Sequence, residues 1–83
     1  MATVEWGVQL SVDARGDLTE AVAVLEADGV ERAHGLGQAR RNPADAEHPR
    51  IGEELAVSRA LYALADRLSD IAAADVALAD GRG

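Results

Sequence analysis

Val4, Trp6, Val8, Leu10 and Val12 alternate strictly with Thr3, Glu5, Gly7, Gln9 and Ser11. Five apolar positions at period two, three of them β-branched, predict a half-buried strand over about residues 3–13. Asp13 to Asp17, with Gly16 inside it, reads as a turn. The stretch that follows, Leu18 to Ala27, supports two readings. Asp17 and Glu20 are spaced as in a capping box, and Leu18, Ala21, Val22 and Leu25 would share one face of a helix. Against this, Asp28-Gly29 ahead of another alternating stretch is a strong hairpin signal. On a strand, Ala21, Ala23 and Leu25 would point away from Val22 and Val24. Periodicity alone does not choose between the two.

From Val30 to about residue 41 the pattern alternates again, with Ala33, Gly35, Gly37 and Ala39 opposite Val30, Arg32, His34, Leu36 and Gln38. Side chains that small weaken a strand but let a helix or another backbone approach closely. Asn42-Pro43 ends the strand, and residues 42–50, which contain Pro43 and Pro49, read as a loop. From Ile51 to about residue 79 the pattern is helical. Pro49 suits a first helical position, and Glu53 and Glu54 complement the positive end of the helix dipole. Val57, Leu61, Leu64, Leu68, Ile71 and Leu78 recur by steps of four and three, interrupted only at Asp75. Leu55, Tyr62, Ala65, Ala72 and Val76 lie to one side of that line. One sheet face needs one stripe, so an apolar arc this wide predicts a second surface to bury against. Residues 80–83 read as a flexible tail.

Composition sharpens that expectation. The 83 residues, without an internal repeat, make one domain over 1–83. A chain this short buries only roughly 60–65% of the surface its unfolded form exposes, so a disulfide, a metal or a partner is a common supplement. There is no cysteine, which removes the disulfide and thiolate metal sites and leaves a partner subunit. The formal net charge is −7, which repels phosphate backbones and anionic lipid and disfavours nucleic-acid and membrane binding. No signal-peptide pattern and no apolar run of about 20 residues is present, so a cytoplasmic protein is expected.

Candidate chemistry is sparse. Asp45, Glu47 and His48 could be drawn as a carboxylate–imidazole set, but their spacing favours no known ligand geometry and a solvated polar loop is the better reading. His34 reads as a surface or edge residue. Ser11, Ser58 and Ser69 lack a glycine-flanked elbow, and Gly35-Leu36-Gly37 is a poor phosphate cradle in a chain without lysine. No catalytic residue, metal ligand or cofactor site follows, and an enzyme is not expected. Arg40, Arg41 and Arg50 form the one basic cluster. They could grip a phosphate or an acidic partner, although a solvated strand end explains them as well.

The run Gly35-Leu36-Gly37-Gln38-Ala39-Arg40-Arg41-Asn42-Pro43-Ala44-Asp45, then Pro49-Arg50-Ile51-Gly52-Glu53-Glu54-Leu55-Ala56, then Arg59-Ala60-Leu61 through Leu64-Ala65 and Leu68, resembles a known family. It is a small actinobacterial family, a domain of unknown function with a fold like that of double-stranded-RNA-binding domains. The resemblance spans nearly the whole chain and implies an α+β domain, β-β-β-α, in which Thr19 to Ala27 is the second strand. The implied sheet is antiparallel, with strands over about 3–13, 18–27 and 30–41 and one long helix over about 51–79. It brings no activity, cofactor or substrate. True double-stranded-RNA binders use an N-terminal helix and a lysine cluster opening the last helix. This chain has neither, and Gly52-Glu53-Glu54 is negative where a phosphate contact needs positive charge.

The expectation is a small non-enzymatic interaction module that forms a homodimer or docks on another protein. Its candidate interface is Val57, Leu61, Leu64, Leu68 and Ile71 on the helix, with Val22 and Val24, beside Leu36, on the second face of the sheet. The alternative is a nucleic-acid or ribosome-associated stress regulator acting through Arg40, Arg41 and Arg50. A ligand or metal site in the loop 42–50 ranks third.

Overall fold

A computed structural model describes residues 2–41 and 48–81, the side chain of Pro49 excepted. Three strands, β1 (Trp6–Arg15), β2 (Leu18–Ala27) and β3 (Val30–Arg40), precede one helix, α1 (Pro49–Asp80). They form an antiparallel sheet in the order β1-β2-β3. The α+β, β-β-β-α architecture expected from the sequence is the one observed. The loop residues 42–47 and the tail residues 82 and 83 lie outside the described part.

Two tight hairpins build the sheet. Arg15 pairs with Leu18, so the first turn is only Gly16-Asp17, and Gly16 takes φ +59° as the first central residue of a type II′ turn. Asp13 to Arg15 therefore belong to β1 and not to the turn, and the strand begins at Trp6 and not at about residue 3 as the alternation implied. Ala27 pairs with Val30 across Asp28-Gly29, whose φ values of 56° and 73° are those of a type I′ turn. The stretch that periodicity left open is the central strand. Ala21, Ala23, Leu25 and Ala27 are buried beneath α1, while Val22 and Val24 are half-buried on the other face.

A bulge at Arg32 alters β3. Glu31 pairs with Glu26 and Ala33 with Leu25, which leaves Arg32 as the extra residue. Val30 consequently shares the helix-side face with Ala27, not the outer face with His34, Leu36 and Gln38 as strict alternation had it.

Helix α1 starts at Pro49, two residues earlier than the hydrophobic pattern implies. Glu53 and Glu54 thus sit one turn in, and the first turn contains no acidic residue, so their assigned role at the helix dipole is corrected. The helix lies across β3 and β2 and scarcely reaches β1. Gly35 and Gly37 are the reason. A Cβ on Gly35 would stand 2.5 Å from the Ala60 carbonyl oxygen and 2.8 Å from Leu64 Cα, and one on Gly37 would overlap the Ala56 carbonyl oxygen and the Ala60 nitrogen. Two backbones meet where neither carries bulk. The buried seam of the helix is accordingly Ala56, Ala60 and Leu64, with Val57, Leu68 and Ile71 packed at its margin.

Candidate functional site

The core is built from small residues. Among the described residues, seven of its nine buried apolar residues are alanine, and Leu25 and Leu64 are the other two. The bulk lies outside. Trp6, Val8, Leu10 and Val12 are between 42% and 53% exposed, although their pairing with β2 puts them on the helix-side face of the sheet, and Val4, ahead of the strand, is 69% exposed. Every residue of β1 is exposed, which corrects the expected half-buried strand. The cause is the lateral position of α1, set by the glycines of β3.

The helix has a matching surface. Arg59 Nη1 donates to the Gln38 carbonyl oxygen at 2.7 Å, which fixes the polar flank of α1 over β3. At about 100° per residue, Leu61 and Leu68 then project from the opposite flank, above β2 and toward β1. Leu61 is exposed and Leu68 half-buried. Val57, Leu61, Tyr62 and Ala65 line a shallow groove on that flank and the top of the helix, with Glu54 and Ser58 at its polar margin. Ile51, Leu55 and Tyr62 look away from the sheet altogether and are 51%, 44% and 73% exposed. From Ala72 onward α1 runs past the sheet, and every described residue there is exposed. Strand floor and helix wall together form one apolar step running along the molecule.

The expected interface residues are distributed as follows. Leu61 lies on the open flank, and Val57, Leu68 and Ile71 straddle its boundary with the core. Leu64 is 6% exposed and belongs to the core of this chain. Val22 and Val24 sit on the outer face of the sheet, half-covered by their neighbours Gln9, Ser11, His34 and Leu36 across the ladder. That face is otherwise polar, with Gln38 Nε2 donating to Glu20 Oε2 at 3.1 Å and His34 Nδ1 lying 3.0 Å from Glu31 Oε2. The Trp6–Val12 strip was legible as apolar, but its exposure was not anticipated. The small-residue row of β3 carried that signal, because it says which edge of the sheet the helix favours.

The basic cluster is partly engaged. Arg40 Nη1 reaches Asp17 Oδ1 at 3.1 Å, and the Arg41 backbone N–H donates to the Asp17 carbonyl oxygen at 2.8 Å. Arg41 and Arg50 are exposed at the two ends of the segment 42–47. Asp45 and Glu47 lie outside the described residues, and His48 is exposed just before the helix. Among the described residues no group of three or more metal-ligating side chains comes together, and no helix is long and apolar enough to cross a membrane.

A three-stranded sheet with one long helix, an alanine-lined core and an open apolar step defines a small α+β domain. The chain belongs to the Rv2632c-like family, whose model matches residues 4–83. It is 42% identical over 71 residues to the uncharacterised protein Mb1767 of Mycobacterium bovis, covering 86% of this chain and 74% of the relative. It is 35% identical over 69 residues to the uncharacterised protein Rv2632c of Mycobacterium tuberculosis, covering 83% and 73%. The crystal structure of Rv2632c superposes with a TM-score of 0.84 at 30% identity, over 95% of this chain and 93% of that one. The family resemblance read from the sequence is thereby established, and these relatives bring no enzymatic activity with them.

Proposed function

We propose that this chain is a non-enzymatic protein-interaction module that works as part of a larger assembly, its apolar step covered by another subunit. One observation carries the reading, the inversion of side-chain size between inside and outside. Burying a large aliphatic or aromatic side chain stabilises a fold by about 1.5–3 kcal/mol, whereas an alanine methyl contributes a fraction of that. Among the described residues this chain buries seven alanines and only two leucines and exposes thirteen larger apolar residues. A surface of that kind marks a place where proteins meet. The sequence supports the non-enzymatic part, since it offers no cysteine, no lysine and no serine in a nucleophile elbow. Its charge of −7 supports a protein partner over a phosphate backbone. Light scattering at micromolar concentration tests the reading. A mass of about twice the 8.6 kDa chain is expected, and a stable, natively folded single chain would contradict self-association.

A further inference from the structure

We infer that the occupant of the apolar step is a second copy of this chain, docked so that α1 of each copy lies over β1 of the other. The inference rests on the interaction reading above and adds the surface, the partner and the symmetry.

The surface is large enough. A compact monomer of this mass exposes about 4,700 Å² by the usual scaling, whereas this chain exposes 6396 Å². The excess over the whole chain is about 1,700 Å², part of it on the helix beyond Ala72 that runs past the sheet, and a stable interface needs roughly 800 Å² from each partner. The shape agrees, since the radius of gyration is 16.7 Å against about 12 Å for a compact domain of 83 residues.

The surface is also self-complementary. Its floor, Trp6 to Ala14 on the helix side of β1, carries no charge at any inward position. Its wall, the flank bearing Leu61, Ala65, Leu68 and Ala72, is uncharged along that stretch and carries a carboxylate only at its two ends, Glu54 and Asp75, while Arg59, Asp66 and Asp70 lie on the opposite flank of the helix. A floor one strand wide beside a wall one helix high accepts a second helix. The second copy has one, with exposed apolar residues on both its flank and its top. A two-fold axis parallel to the helices satisfies both copies at once, as an isologous interface requires. The two helices then lie side by side and parallel, in one layer between two outer sheets. Ser58, Leu61, Ala65, Leu68 and Ala72, spaced by threes and fours with small residues alternating with leucine, meet their own counterparts along the axis. Leu55 and Tyr62 of each copy come over the β1 strip of the other. The polar outer faces of both sheets stay in water.

The cysteine-free chain makes the test direct, because any disulfide formed is the engineered one. In this arrangement residue 65 faces its own counterpart across the axis, so Ala65→Cys is expected to convert nearly completely to a covalent dimer under mild oxidation. Ala72→Cys, seven residues on along the same seam, is expected to do the same and serves if the first variant folds poorly. Ser69→Cys, on the top of the helix, and Gln9→Cys and Ser11→Cys, on the outer sheet face of β1, are expected to remain monomeric on denaturing gels. Covalent dimer through Gln9→Cys or Ser11→Cys, with Ala65→Cys and Ala72→Cys unlinked, would indicate edge-to-edge pairing of β1 and overturn this arrangement. A doubled mass in solution with none of the five cysteines linking would also overturn it, leaving self-association by another surface. A single-chain mass for the wild type overturns the second copy as occupant, and the interaction reading then stands only with a different protein as partner.

Discussion

The two border strands of the sheet turn their inward side chains to the same face, yet β3 is covered by the helix and β1 is open to solvent. The difference is side-chain size. Ala33, Gly35, Gly37 and Ala39 give α1 a bed on which its own backbone rests, whereas Trp6, Val8, Leu10 and Val12 would hold a helix at the ordinary separation of about 10 Å. The helix settles where approach is closest and leaves the bulky strand uncovered. A sheet this narrow thereby divides one face into an intramolecular half and a half available to another subunit.

The strongest way to break that division is to fill the bed. Gly37→Ala places a methyl against the backbone of Ala56 and Ala60, which must move. A loss of about 3 kcal/mol is expected from such overpacking, read as a fall in urea midpoint or in Tm. Since 1 kcal/mol shifts Tm by roughly 4–8 °C in a domain of this size, the effect is easily measured. Gly35→Ala is expected to behave alike.

Charging the open half sharpens the comparison from the other side. Leu61→Asp, at a position 39% exposed, is expected to leave the helical circular dichroism of the folded chain in place while the mass in solution falls to 8.6 kDa. Leu10→Asp on the strand floor should act in the same direction. Leu64→Asp is not an equivalent probe, because Leu64 is buried in the chain's own core and its replacement unfolds the domain.

Smaller effects belong to the turns and to the outer face. Gly29→Ala forces a Cβ onto a residue at φ +73°, where about 1–2 kcal/mol is lost with the mass unchanged. Leu36→Thr, at a position 64% exposed on the polar side of the sheet, is expected to change stability by less than about 0.5 kcal/mol and to leave the mass alone. If Leu36→Thr dissociated the assembly, the outer face and not the helix side would be the interface.

Much of this fold is legible in the sequence, and the part that is not has a physical reason. Alternation locates β1 and β3, Asp28-Gly29 sets the second hairpin, and Pro49 marks the helix start. The central strand is not separable from a helix by local pattern, because Leu18, Ala21, Val22 and Leu25 satisfy the helical period while Ala21, Ala23 and Leu25 satisfy that of a strand. Pairing on both sides decides it, and pairing is a tertiary fact. The bulge at Arg32 leaves no mark in the alternation of its neighbours. The candidate surface is legible as two apolar patterns, the β1 strip and the wide helix arc. Their shared exposure depends on where the helix sits across the sheet, which the glycines of β3 determine through a contact between two distant segments.

Trp6 is the chain's only tryptophan, lies on the open strip and is 53% exposed in the single chain, so its fluorescence reports the central claim directly. If another copy covers β1, the emission of the concentrated protein is blue-shifted and protected from a soluble quencher. It should move to the red on dilution, in step with the fall in mass, and Leu61→Asp should show the red emission at every concentration. A Trp6 spectrum that stays solvent-exposed in the dimer, unchanged by dilution or by Leu61→Asp, would contradict the account.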